Sequence, residues 1–276
     1  MVNYQFRDIF FQKLLYFSEN GTILYEQISA YFYSYDLINQ KIILSCVRKI
    51  LPLECPVCGG KPNDGAANTL CRDCLAQIEY ISPPYCPGCG GTLDGIFEMC
   101  SDCMKEEARR PWSNAFTIFR MRGAGRELVH AFKYQSRPDL ARALAALAMM
   151  RCGEAIRKEQ FDLIVPVPLH WWRKMRRSYN QAEEFAKAFG AVAGIPVKSV
   201  LKRKKWTGQQ SKLSRKQRIS NLKGAFSINR STNPEKRAIL LVDDVMTTGS
   251  TLAAAAETLL KAGAGKVCIL TLARRQ

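Results

Sequence analysis

The run ILLVDDVMTTGST, Ile239 to Thr251, sets an acid pair and a hydroxyl-rich turn between an apolar stretch and a strong helix former. Ile239 to Val242 match a fully buried parallel strand. Asp243 and Asp244 follow at its carboxyl end, the edge where open α/β sheets hold ligands. Thr247, Thr248, Gly249, Ser250 and Thr251 then open into STLAAAAETLLKAG, a helix closed by Gly263. A turn at a helix N-terminus offers backbone N–H groups and the positive end of the dipole to a phosphate. Gly249 lets the backbone approach closely because it has no Cβ. Two carboxylates beside such a nest would repel the phosphate, so they serve another part of the ligand. Accepting hydrogen bonds from vicinal ribose hydroxyls, near a magnesium ion, fits that geometry. The bland alternative is a polar βα turn after an acidic strand end, common for either half alone. Strand, acid pair, turn and helix in this order predict a device for holding a phosphorylated ribose. The competing loop GxxxxGK[ST] is absent, since no Lys follows Gly249.

Metal chemistry is written in the cysteines. Eight of the eleven form four C-x-x-C pairs, Cys55/Cys58, Cys71/Cys74, Cys86/Cys89 and Cys100/Cys103, separated by twelve, eleven and ten residues. CPVCGG and CPGCGG are knuckle sequences whose glycines permit the turn that aims two thiolates at one metal. Two pairs make a tetrahedral site of four thiolates, closed to substrate, so two structural Zn²⁺ ions are expected. A disulfide framework would need an oxidising compartment, for which there is no signal. A redox C-x-x-C would occur once, at a helix start. Sequential pairing and a cross-brace (Cys55/Cys58 with Cys86/Cys89) both satisfy the spacing. Zinc ribbons grip nucleic acid or protein, so the module reads as a binding surface. Cys46, Cys152 and Cys268 stand alone, and Cys268 lies in an apolar strand.

A second anion site is expected after the strand FDLIVPVP (161–168), where LHWWRKMRRSYNQAEEFA begins. Arg173, Lys174, Arg176 and Arg177 at a parallel strand's carboxyl end make a pyrophosphate clamp, to which Arg brings its fork of donors. Trp171 and Trp172 are hydrophobic supports or stacking platforms for bases. His170 transfers a proton or plays a hydrogen-bonded structural part.

The elements that must position these groups follow from periodicity. Trp112 to Arg122 reads as a strand, GRELVHAFKYQ and DLARALAALAMMRCGEAIRK as two helices, and Tyr179 to Val192 as another. PVKSVLKRK reads as the next strand, AFSI and AILLVDD resume strands after a basic, polar excursion, and KVCILTLAR closes the pattern. Such alternation predicts a parallel α/β sheet. Residues 1 to about 45 differ, with eleven Tyr or Phe, one Gly and no Pro. They read as an upstream extension, or as an amphipathic helix around IFFQKLLYF that docks on a partner or a membrane surface.

Composition narrows the partners. The chain has 276 residues, is 47% hydrophobic and carries a net charge of +17. Between His170 and Gly224 fifteen Lys or Arg face two Glu, a balance of +13, which calls for a polyphosphate, a nucleic acid or both rather than a merely solvated surface. No apolar window is long enough to span a membrane and no secretory signal is evident, so a cytoplasmic protein is expected.

ILLVDDVMTTGST resembles the phosphoribosyl pyrophosphate (PRPP) motif of type I phosphoribosyltransferases. Together with VPVPLH…R…RRSYNQAE and LKRKKWTGQQSKLSRKQRISNLKGAF it is similar to the ComF (GntX) family of phosphoribosyltransferase-like proteins. That family also carries an N-terminal double zinc ribbon, and the resemblance runs from about Leu51 to the C-terminus. It implies a type I phosphoribosyltransferase-like α/β fold, a parallel sheet with helices on both faces, plus a small N-terminal zinc-ribbon module. The expected organisation is an extension at 1–50, the double ribbon at 51–110 and the phosphoribosyltransferase-like domain at 111–276. The family pattern R-G-F-N-Q falls on Arg177, Ser178, Tyr179, Asn180 and Gln181, with Ser178 standing where the pattern has Gly. The pattern R…T…Q…L…R…N…G…F falls on Arg203, Thr207, Gln210, Leu213, Arg218, Asn221, Gly224 and Phe226, which in type I enzymes belongs to a mobile hood over PRPP.

The resemblance implies two roles. In an active phosphoribosyltransferase, pyrophosphate leaves the anomeric carbon through an oxocarbenium-like transition state. Mg²⁺, Arg173 and Arg177 then stabilise the leaving group, the turn amides fix the terminal phosphate, and Asp243 and Asp244 orient the ribose. The acceptor is not legible. In the other role a PRPP-binding protein handles imported single-stranded DNA during natural transformation, alongside other competence proteins, through its ribbons and basic segment.

Overall fold

In the computed structural model, residues 54–62, 69–93, 97–104, 110–135, 137–169, 179–204, 224–229 and 232–275 are described. All belong to one compact unit, Glu54–Gln276. The elements in chain order are α1 (Arg72–Ala76), α2 (Ser101–Met104), β1 (Asn114–Arg120), α3 (Gly123–Tyr134), α4 (Leu140–Lys158) and β2 (Leu163–Pro166). They continue with α5 (Gln181–Ala193), β3 (Leu201–Arg203), β4 (Phe226–Ile228), β5 (Ala238–Met246), α6 (Ser250–Lys261) and β6 (Lys266–Arg274).

Four strands form a parallel sheet in the order β1-β6-β5-β2. The two central strands, β5 and β6, carry the longest apolar runs, as burial on both faces requires. On one face α3, α4 and α5 cover Leu240, Val242, Cys268 and Leu270, with Phe132, Phe185 and Phe189 fully buried between them. Each such ring contributes on the order of 2–3 kcal/mol by leaving water. On the other face α6 lays Leu252, Ala255, Ala256 and Leu259 against Leu241 and Ile269. Helices therefore lie on both faces. The closing turns follow their glycines: α5 ends on Gly194 at φ 71° and α6 is followed by Gly263 at φ 88°.

One expected strand divides. PVKSVLKRK gives only a single parallel bridge from Val197 to Ile164 beside β2, after which β3 turns away and pairs antiparallel with β4. Within β3 Leu201 is buried and Lys202 exposed, a one-sided pattern that suits a two-stranded antiparallel ribbon better than a place in a doubly covered sheet. Here Leu201 and Phe226 supply the buried face, and Val200 is buried just before β3 begins.

The cysteine-rich segment is built onto the outer edge of β1. The Ile81 N–H donates to the Ile118 carbonyl and the Arg120 N–H to the Glu79 carbonyl, both at 2.9 Å, and Tyr80 bridges Phe119 antiparallel. This covers a strand edge that would otherwise offer a row of unpaired groups. The segment then packs on both sides of the sheet. Cys55, Cys71 and Cys74 join the three-helix side, and Cys86, Cys89 and Cys103 join the α6 side. Among the described residues no helix is long and apolar enough to cross a membrane.

Candidate functional site

β5 runs two residues past the acid pair, so Asp243 and Asp244 sit in its last turn of pairing rather than after it. Asp243 lies opposite Thr271 and Met246 opposite Arg274, which keeps the strand rigid up to the turn. The Asp244 N–H donates to Asp243 Oδ1 at 2.8 Å. Lys133, from the last turn of α3, forms an ion pair with Asp244 Oδ2 at 3.1 Å, with the two side chains only 14% and 13% exposed. Burial, and then the neighbouring Asp244 charge, push the Asp243 carboxyl up to about 7, against the pull of the Asp244 N–H, Lys133 and Arg203. Two carboxylates faced by two cations make a compact polar site at the sheet's carboxyl edge.

The turn after β5 leads directly into α6. Gly249 is the residue capping α6, at φ 73° in the left-handed region, with no side chain of its own to cap, and the Ser250 N–H reaches Thr248 Oγ1 at 3.5 Å. Thr248 Oγ1 and Ser250 Oγ share a hydrogen bond at 2.8 Å. Arg110 Nη1 donates to the Thr248 carbonyl at 2.8 Å. A Cβ on Gly249 would run into the Arg110 guanidinium. Gly249→Ala is thus expected to cost about 1–2 kcal/mol from the positive φ alone, and to displace Arg110 as well. A fall of a few degrees in melting temperature checks it, and an unchanged melt would contradict the close packing at this turn.

The remaining residues expected at the site divide. Arg203 lies with its guanidinium 5.4 Å from the Phe226 ring and close enough to draw down the Asp243 carboxyl. Asn180 precedes α5 and donates from Nδ2 to the Val167 carbonyl at 3.2 Å, while its buried Oδ1 has no hydrogen-bond partner among the described residues. Gln181 is fully buried and donates from Nε2 to the Lys133 carbonyl at 3.3 Å, so it braces the segment that carries Lys133. Tyr179 OH donates to the Phe132 carbonyl in the same segment. Arg173, Lys174, Arg176 and Arg177, with His170, Trp171 and Trp172, lie outside the described residues. So do Thr207, Gln210, Leu213, Arg218 and Asn221, and the whole of 1–53.

The cysteines gather into two quartets, Cys55/Cys58/Cys71/Cys74 and Cys86/Cys89/Cys100/Cys103, each with its sulfurs within 4.8 Å of one another. This is the sequential pairing. Sulfurs about 2.3 Å from a tetrahedral zinc stand about 3.8 Å apart. Cys58 and Cys71 are separated by 3.7 Å and Cys89 and Cys100 by 3.6 Å, so the donor sets fit zinc. The Gly60 N–H donates to Cys58 Sγ and the Gly91 N–H to Cys89 Sγ, both at 3.4 Å, as thiolates require. The two knuckles repeat each other: Cys55 N–H donates to Gly60 O and Cys86 N–H to Gly91 O, both at 2.7 Å. Gly90, at φ 68°, also lies so close to β1 that a Cβ would meet the Thr117 nitrogen at 2.7 Å.

Residues 137–276 match the phosphoribosyl transferase domain family, and residues 46–104 match the double zinc ribbon domain family. Competence protein F of Haemophilus influenzae is 38% identical over 76% of this chain and 92% of its own. The chain belongs to the ComF family. Other relatives include the DNA utilization protein YhgH of Escherichia coli, 32% identical over 74% of this chain and 90% of its own. Competence protein ComFC of Streptococcus pneumoniae is 28% identical over 74% of this chain and 87% of its own. Among solved structures, a purine phosphoribosyltransferase from Pyrococcus horikoshii overlaps 51% of this chain and 75% of its own at 21% identity and a TM-score of 0.31.

In this ComF-family protein three residues around the site, Lys133, Arg110 and Arg274, carry little sequence signal. Lys133 looks like any last-turn helix cation. Arg110 sits in a short connection between modules, and Arg274 closes β6, where it lies buried and donates to Cys89 Sγ. A charged residue ending an otherwise apolar strand was the only available hint for Arg274.

Proposed function

We propose that this ComF-family protein binds PRPP with Mg²⁺ at the end of β5 and acts in DNA uptake, where it handles single-stranded DNA in the cytoplasm. The observation that carries the reading is the juxtaposition at one sheet edge of the Asp243–Asp244 pair and the helix-opening turn Thr247–Thr251. Asp243 and Asp244 accept from the ribose hydroxyls, and the turn amides and the Thr248 and Ser250 hydroxyls hold the terminal phosphate. Arg203, near Asp243, supplies positive charge on the pyrophosphate side, where Arg173 is assigned by the basic loop and Arg177, Asn180 and Gln210 by the family pattern, while the fully buried Gln181 braces the segment that carries Lys133. Mg²⁺ arrives on the pyrophosphate and would neutralise its charge. The DNA role is supported by the relatives named for competence and DNA utilization, and by the +13 balance between His170 and Gly224. Other proteins of DNA uptake are the partners this role implies.

Calorimetry with magnesium-PRPP, and fluorescence anisotropy with a labelled single strand, test the two halves. PRPP is expected to bind saturably. Single-strand affinity is expected to fall steeply with salt, by about 0.7 in log affinity per log salt for each phosphate neutralised. Absence of PRPP heat removes the first half, and salt-independent or absent DNA binding removes the second. A second reading, phosphoribosyl transfer to a small nucleobase or amine, is favoured by the Asp243 carboxyl, which titrates near neutrality beside the assigned ribose position. Acceptor-dependent pyrophosphate release distinguishes it.

A further inference from the structure

Arg110 stands between the two matched regions, in the connection that leaves the second quartet and enters β1. Its hydrogen bond to the Thr248 carbonyl fixes the peptide plane between Thr248 and Gly249. Because a trans peptide points its C=O and N–H in opposite directions, holding that carbonyl also aims the Gly249 N–H. The guanidinium adds a full positive charge beside the dipole end of α6.

Arg110 is in turn held by the ribbon. Its guanidinium lies 5.3 Å from the centre of the Trp112 ring, and Trp112 Nε1 donates to the Pro87 carbonyl at 3.2 Å, inside the Cys86–Cys89 knuckle. A second line of contact reaches the other end of the turn. Arg274 donates to Cys89 Sγ, lies 3.8 Å from Cys100 Sγ, and pairs in register with Met246, the residue before Thr247. The Arg275 N–H donates to the Met246 carbonyl at 3.0 Å. The same cysteine knuckle therefore supports the turn through Met246 on one side and Thr248 on the other.

We propose that Arg110 is a positioning residue of the phosphate turn, held by the second cysteine quartet, so that metal at that quartet and PRPP at the turn reinforce each other's binding. This rests on the PRPP reading above. Coupling of this kind is reciprocal: if the filled quartet strengthens PRPP binding, PRPP must strengthen metal retention by the same factor.

The test uses the full chain loaded with zinc. Magnesium-PRPP is titrated calorimetrically into wild type, Arg110→Ala and Arg110→Lys, and zinc release to a chelating indicator is followed with and without PRPP. Arg110→Ala is expected to weaken PRPP about tenfold or more, with zinc content and melting temperature as in wild type. Arg110→Lys, which keeps a donor and a charge, is expected to recover part of the loss. PRPP should slow zinc release from wild type and leave the Arg110→Ala rate nearly unchanged. A purely structural role would lower the melting temperature and leave the PRPP effect on release in place. Equal PRPP affinity in wild type and Arg110→Ala, or equal slowing of zinc release in both, overturns the proposal while the PRPP reading stands. Failure of wild type to bind PRPP overturns that reading and this proposal with it.

Discussion

Replacing Asp243 and Asp244 together by asparagine is expected to abolish magnesium-PRPP binding, with no heat detected where wild type saturates. The loss should exceed about a hundredfold, the scale of several charge-assisted hydrogen bonds made by partly buried acceptors. The single variants separate ligand chemistry from folding. Asp243 is raised to about 7 by burial and by the Asp244 charge. A carboxyl raised above its ordinary value near 4 favours the folded state while protonated, below that ordinary value. It gives that stability up as the pH climbs towards 7 and past it. Asp243→Asn should therefore melt higher than wild type at pH 8, with the difference shrinking towards pH 5. Asp244→Asn strips Lys133 of its ion-pair partner in a poorly exposed position, so it should melt lower. PRPP affinity of wild type should weaken below about pH 7, as Asp243 takes up its proton. An unchanged dissociation constant in the double variant would remove both aspartates from the binding role. A pH-independent gap between Asp243→Asn and wild type would refute the electrostatic account.

Cys86→Ser is expected to produce the largest loss of stability. One of the two zinc equivalents disappears, and the melting temperature falls by about 10 °C or more, taking a loss of about 4 kcal/mol at roughly 2–4 °C per kcal/mol for a unit of this size. The reason lies in where the second quartet sits. Cys86, Cys89 and Cys103 share a buried cluster with Leu241, Leu252 and Ile269, so an unmade metal site leaves polar sulfurs inside the core between β1 and α6. Thr117 Oγ1 donates to the Cys89 carbonyl and bonds Thr271 Oγ1 at 2.9 Å, which links the knuckle across two strands. Cys58, by contrast, is the exposed member of the first quartet, and Cys58→Ser should lower the melting temperature less. Metal analysis of both variants with their thermal melts decides it. Full zinc content in Cys86→Ser, or an ordering of the two melts opposite to this one, would count against the quartet's place in the core.

Local and long-range information separate cleanly in this protein. The acid pair, the Thr247–Thr251 turn and α6 lie within a single contiguous stretch, so strand, turn and helix signals are all readable there without a partner. The same holds for the C-x-x-C knuckles, whose glycines and spacing specify a local loop around a metal. α3, α4 and α5 follow from apolar spacing within each segment. The pairing of β3 did not follow, although the strand itself did, because a segment with one buried face is compatible with several neighbours and its choice of β4 depends on residues more than twenty positions away.

What the amino-acid order determined, then, is each chemical unit: a hydroxyl-rich turn after an acid pair, four C-x-x-C pairs, and a parallel α/β scaffold. Tertiary structure alone decided which C-x-x-C pairs share a metal site and that the ribbon straddles the β1 edge. It also brought Lys133 and Arg110 to the turn's neighbourhood, the latter from 138 positions away in sequence. Those pairings arise when separate buried surfaces close on each other, and the energy of that closure belongs to no single segment of the chain.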